Sequence, residues 1–129
     1  MEKSDKGFKN LFAYQKAFLQ AGRIFKLTLK FPVEEKFSLI DQIRRSSRSV
    51  CVNLAEGYRK RDYLKHFRLK ITDCLGENGE TEIWLDFALD CNYINENEYN
   101  DLINLNEEVG KLLVYMYNNP EKFGVKMND

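Results

Sequence analysis

The chain has a single histidine and three cysteines, so a cysteine–histidine pair would have to involve His66. His66 lies eight residues from Cys74, about 12 Å along a helix at 1.5 Å per residue. That is too far for the hydrogen bond that activates a thiol, and His66 is expected as an exposed side chain on a basic helix face. Asp73, Glu77 and Glu80 fall at helical spacing, with Glu107 and Glu108 further on. A carboxylate-bridged metal bundle would use Glu-x-x-His motifs, and the sequence has none. It also has no glycine-rich phosphate loop and no G-x-S-x-G. The expectation is a protein that is not an enzyme and needs no metal or cofactor.

The remaining chemistry-bearing residues are arginines and lysines, in two groups. In QIRRSSRSVCVNLAEG, residues 42–57, arginines stand among small polar residues on a helix that also carries a core face. If this helix packs against the next one across a tight turn at 57–62, Arg45 and Arg48 fall near Asp73 and Glu77, and Gln42 near Asn78. Arg–carboxylate pairs of this kind align helices more reliably than they stabilise them. Gln42, Arg45, Asn53, Glu56, Asp73, Glu77 and Asn78 are therefore expected to form a structural polar network.

The second group, YRKRDYLKHFRLK at 58–70, interleaves cations with Tyr58, Tyr63 and Phe67. A basic turn feeding a basic helix face can neutralise phosphates, while tyrosines stack on unpaired bases. A solvated basic face is the commoner cause of such a run. The nucleic-acid candidates are Arg48, Arg59, Lys60, Arg61, Lys65 and Arg68. Two readings stay open: an adaptor for structured RNA or a nucleic-acid-handling protein, and a protein-interaction scaffold without nucleic-acid affinity.

Four helices must position these residues. Leu11, Tyr14, Phe18, Ala21, Phe25 and Thr28 mark one face of a first helix, which Pro32 ends. Ser38 is expected to cap the second, with Asp41 in its first turn; its core face is Leu39, Ile43, Ser46, Val50 and Leu54. Gly57 is expected to stop it in a left-handed conformation. Asp62 would cap the third helix, with face Leu64, Phe67, Ile71, Cys74, Asn78, Thr81, Leu85 and Ala88. Asn95 with Glu98 opens the fourth, with Leu102, Leu105, Val109, Leu112 and Met116 inward, and Asn119-Pro120 ends it. Short connections predict an all-α, antiparallel up-down-up-down four-helix bundle. Gly76 and Gly79 inside the third helix each cost about 1 kcal/mol relative to Ala, which suggests close approach of another backbone in the same chain or a neighbouring subunit.

A chain of 129 residues, 43% hydrophobic and 13% aromatic, suits one folded domain over 1–129, with its core at about 8–118 and short tails at 1–7 and 121–129. No apolar run is long enough for a membrane span, and MEKSDKGFKN has no apolar signal region. Cys51, Cys74 and Cys91 are odd in number and form no C-x-x-C, so buried reduced thiols in a cytoplasmic protein are expected. The net charge of zero conceals a strong division. Residues 1–43 carry eight Lys/Arg against five Asp/Glu, residues 44–70 nine against two, and residues 71–129 three against thirteen. Such a split suits a dipolar molecule, or an oligomer that brings opposite faces together.

QIRRSSRSVCVNLAEG resembles the Q-hydrophobic-R-R-A-x-x-S-I-x-x-N-I-A-E-G signature of four-helix-bundle proteins encoded in 23S rRNA intervening sequences. KFPVEEKFSLIDQIRR, FKNLFAYQKAF and GENGETEIWL are similar to further stretches of that family, with Tyr14 at its usual Trp position, and the resemblance covers roughly residues 8–117. Gln42, Arg44, Arg45, Ser49, Asn53, Glu56 and Gly57 match the signature. Arg48 stands where an uncharged residue is usual, and Cys51 where proline is frequent. The resemblance implies a bundle that associates into a ring, commonly a homo-pentamer. A related branch, the accessory proteins of diversity-generating retroelements, binds a reverse transcriptase and contacts nucleic acid. The acidic C-terminal half departs from the basic barrel of that branch, which weakens the transfer of its partner.

Overall fold

In the computed structural model, which describes residues 7–128, no β-strand occurs among the described residues. Four helices form the bundle: α1 (Phe12–Thr28), α2 (Leu39–Arg59), α3 (Leu64–Asp90) and α4 (Glu96–Asn118). Short 3-10 turns lie at Gly7–Asn10, Val33–Glu35 and Pro120–Phe123. The expected inward faces of α2 and α3 are buried along their length, Leu64 being half-buried. No helix of the described residues is long and apolar enough to cross a membrane.

The core has two apolar clusters. One gathers Ala13, Ala17, Val50, Leu54, Phe67, Ile71, Val109 and Leu113; the other gathers Ile24, Ile43, Leu85, Ala88 and Leu102. Between them along the helices lies a buried polar level. Gln20 Nε2 donates to Asn106 Oδ1 at 2.9 Å, and Asn78 Nδ2 donates to the Asn106 carbonyl at 3.0 Å. Asn106 Nδ2 returns a bond to the Asn78 carbonyl at 3.2 Å, and Ser46 and Thr81 share a hydroxyl bond at 2.8 Å. These bonds fix which layer of each helix meets which, because breaking one strands a buried polar atom at about 1–3 kcal/mol.

Several local expectations are corrected. The buried face of α1 is Ala13, Ala17, Gln20, Ile24 and Thr28; Phe18 and Phe25 lie at the boundary and are exposed. Alanines and a hydrogen-bonded glutamine fit where helices crowd, while the aromatics stack outside, Tyr14 on Phe18 and Phe25 beneath Arg44 and Arg48. The α2 start is capped by Glu35, not by Ser38 or Asp41: its carboxylate accepts from the Ser38 hydroxyl and from the Leu39 N–H at 3.3 Å. Gly57 is not a left-handed stop, since α2 runs on to Arg59. A Cβ there would lie 3.0 Å from Lys70 Cβ, so the glycine lets α3 approach. Asp62 does not cap α3; it pairs with Lys126 at 3.4 Å. In α4 the capping box of Asn95 and Glu98 forms as expected and Leu102, Leu105, Val109 and Met116 are buried as expected, but Asn106 and Leu113 join them while Leu112 is only half-buried.

A Cβ on Gly76 or Gly79 would meet nothing within 4 Å, so no other backbone among the described residues approaches them. The expected tail after 120 is docked in its first part. Val125 is buried, and the Lys126 N–H donates to the Arg61 carbonyl at 2.8 Å. Of the expected N-terminal tail, residues 1–6 lie outside the described residues, and Gly7 opens the first 3-10 turn.

Candidate nucleic-acid interface

The six cations singled out for nucleic-acid contact separate by what holds them. Arg61 is an internal strut: its guanidinium lies 3.5 Å over the Tyr58 ring, and Nε donates to the Tyr58 carbonyl at 2.6 Å. Its second nitrogen donates to the Phe123 carbonyl at 3.4 Å. Arg68 closes the end of α4, donating to the Tyr117 carbonyl at 3.2 Å with its guanidinium 5.0 Å from that ring. A cation at these carbonyls also suits the negative end of the helix dipole. Arg59 lies 5.4 Å from the Phe8 ring centroid and, among the described residues, forms no ion pair within 4 Å, although its charge acts on nearby Glu56. Lys60 and Lys65 are exposed and meet no hydrogen-bond or ion-pair partner among the described residues. The turn therefore offers Arg59, Lys60 and Lys65.

Arg48 belongs to a different surface. Together with Lys36, Phe37, Ile40, Asp41, Arg44, Arg45, Ser49 and Val52 it lines a groove of about 490 Å³ on the outward side of α2. Arg44 is committed within the fold, donating to Thr28 Oγ1 at 2.8 Å. Arg45 reaches Glu80 at 3.5 Å, an exposed pair of small energetic weight. Arg48 meets no carboxylate among the described residues and lies 5.6 Å from the Phe25 centroid. The expected pairs of Arg45 and Arg48 with Asp73 and Glu77 do not form. Because α2 extends past Gly57, the register moves along α3, so that Arg45 faces Glu80 and Cys74 faces the Val50 carbonyl.

The expected polar network is re-centred on Lys70, which the sequence reading treated only as part of a basic run. Its ammonium binds Glu56 at 2.8 Å, Asn53 Oδ1 at 3.3 Å and Asp73 at 3.9 Å. The Lys70 bond and charge hold the Glu56 carboxyl below the ordinary carboxylate range. Asn53 also donates to the Ser49 carbonyl at 3.0 Å. Asn78 joins Asn106 instead of Gln42, and Gln42 lines a second groove with Trp84 and Phe87. One oxygen of Glu77 is buried without a partner. Gln20 and Asn106 were missed because each sits at one helix's core position, and only the packed bundle shows them to be complementary.

Cys51 and Cys74 are buried as expected, whereas Cys91 is exposed, because α3 ends at Asp90 and the chain turns outward. Burial pushes the Cys51 thiol up to about 11 and the Cys74 thiol higher still. Exposed His66 rests against Tyr63, while Cys74, about two turns further along α3, is buried.

Three comparisons with known proteins bear on the family and the fold. The sequence pattern described as 23S rRNA-intervening sequence protein matches residues 9–115. Among solved structures, the chain is similar to a protein with unknown function from the S23 ribosomal protein family of Bacteroides thetaiotaomicron VPI-5482. The two are 27% identical with a TM-score of 0.74, over 82% of this chain and 95% of that one. No curated protein matches significantly.

Proposed function

The chain belongs to the 23S rRNA-intervening sequence protein family, and from that premise we propose that it is a non-enzymatic, oligomeric adaptor binding structured RNA or a ribonucleoprotein. One observation carries the reading. The exposed cations Arg59, Lys60 and Lys65 cluster around the turn between α2 and α3, and none of them forms an ion pair within 4 Å among the described residues; Lys36 and Arg48 line a separate groove along α2. Exposed positive charge gathered at one turn, in excess of the nearby Glu56, suits a phosphate backbone partner. The four helices run antiparallel, up-down-up-down, which accords with Asn53 facing Lys70 while Ser46 faces Thr81.

Self-association has its own support. The outer face of α3 carries Leu69, Ile83 and Phe87, all half or more exposed, with Gly76 open between them. Asp73, Glu82 and Asp86 flank this stripe, so pairing it with its own copy would oppose like charges. A candidate complementary face is the exposed side of α1, which carries Phe18 and Leu19 and the cations Arg23 and Lys26. A contact between two different faces closes into a ring or extends as a filament. This stripe also favours the second reading, a scaffold with no nucleic-acid affinity.

The test is filter binding of a structured RNA hairpin to wild type and to Arg59→Gln/Lys60→Gln/Lys65→Gln, with light scattering on both. Arg61 stays unchanged because it is a strut. Weakened binding at unchanged mass supports the adaptor. No RNA retained by wild type, with the protein folded and oligomeric, selects the scaffold.

A further inference from the structure

Phe37 is 85% exposed, the most exposed large hydrophobic side chain among the described residues. It stands on the short connection before α2, at the end of the groove that holds Lys36, Arg45 and Arg48, with the Lys36 ammonium 5.4 Å from its ring centroid. The groove floor is apolar, through Ile40 and Val52, and Asp41 is the one acid among its lining residues. The exposed ring beside these cations suits an occupant that uses an aromatic face and positive charge together.

We infer that this groove takes an unpaired nucleotide of single-stranded RNA, its base stacked on Phe37 and its adjoining phosphates held by Arg45 and Arg48. The inference rests on the RNA-binding reading and deepens it. Arg45 and Arg48 are one helical turn apart on α2, about 4.5 Å in rise, so two cations follow one strand. A ring open on its face offers stacking to any base, but only to one that is not already stacked in a duplex. Arg45 is free to move, since its link to Glu80 is long and exposed. A second copy of the chain fits less well, because the guanidinium groups interrupt the apolar floor that a helix stripe would need.

The experiment is fluorescence anisotropy with an end-labelled single-stranded RNA of about 12 nucleotides, beside the same strand annealed to its complement. Wild type should bind the single strand more tightly than the duplex. Phe37→Ala should weaken the single strand roughly tenfold or more and leave the duplex unchanged, while Phe37→Tyr retains binding. Arg48→Gln should lower the salt slope by about 0.7. Phe37 is exposed, so its loss does not threaten the fold. If Phe37→Ala binds like wild type while the Arg59/Lys60/Lys65 variant fails, the groove assignment is wrong and the adaptor reading stands. If wild type binds neither RNA, both fall. If Phe37→Ala instead reduces the mass seen by light scattering, the groove belongs to a second copy and the inference is overturned.

Discussion

At the scale of single residues, one connection carries a pH dependence that can be measured. Glu35 accepts from Ser38, from Tyr93 at 2.8 Å and from the Leu39 N–H, and these bonds hold its carboxyl below the ordinary value of 4.5. A depressed folded pKa gives stability that is present above the ordinary value and lost as pH falls through the folded one. Tyr93 is the mirror case. Its bond to Glu35, then burial, raises the phenol from 10.0 to about 12. That contribution is complete below pH 10 and lost as pH rises towards 12. Thermal melts across both windows should show wild type losing more stability at each end than Tyr93→Phe. Parallel curves would mean that the bond is not formed in solution. The sequence did not reveal this pair, because the residues are distant in the chain and neither sits in a helical pattern.

At the scale of elements, α2 and α3 were legible because their apolar and small residues repeat at helical spacing, and the α4 start because Asn95 and Glu98 sit three apart. The α1 face was misread by one step around the helix. Aromatic residues dominate its periodicity, yet the bundle interior there has room only for alanines and a paired glutamine. Gly57 was misread for a related reason: a glycine near a helix end signals a stop unless the neighbouring helix is known to press on it. The glycines now give opposite expectations. Gly57→Ala forces a contact with Lys70 Cβ and should destabilise by about 1 kcal/mol net, overpacking of about 1–3 kcal/mol outweighing the propensity gain. Gly76→Ala meets nothing and should stabilise the chain by up to about 1 kcal/mol. Denaturant titration reads both. If α3 is the self-association face, Gly76→Ala should at the same time weaken the oligomer.

At the scale of the whole molecule, the division of charge read from the sequence survives folding in a sharper form. Part of the positive charge is consumed internally, by Arg44 on Thr28, Arg61 on Tyr58 and Phe123, Arg68 on Tyr117, and Lys70 on Glu56. Sequence order could not separate these from the free cations, since it does not show which carbonyl or ring each arginine reaches. The acidic, apolar-striped face of α3 predicts a mass by light scattering above the single-chain 15.3 kDa. Ile83→Arg, at an exposed position, should lower that mass without unfolding the chain. A wild-type mass of one chain at micromolar concentration would remove the oligomer.

The account depends most on the free cations meeting phosphates, and salt dependence tests that directly. Binding of wild type to single-stranded RNA should be followed by anisotropy between about 50 and 200 mM salt. Four phosphate contacts from Arg48, Arg59, Lys60 and Lys65 would lower affinity about fifty-fold over that range, through release of condensed counterions. An affinity that does not change with salt, or no affinity at the lower salt, would contradict the RNA adaptor.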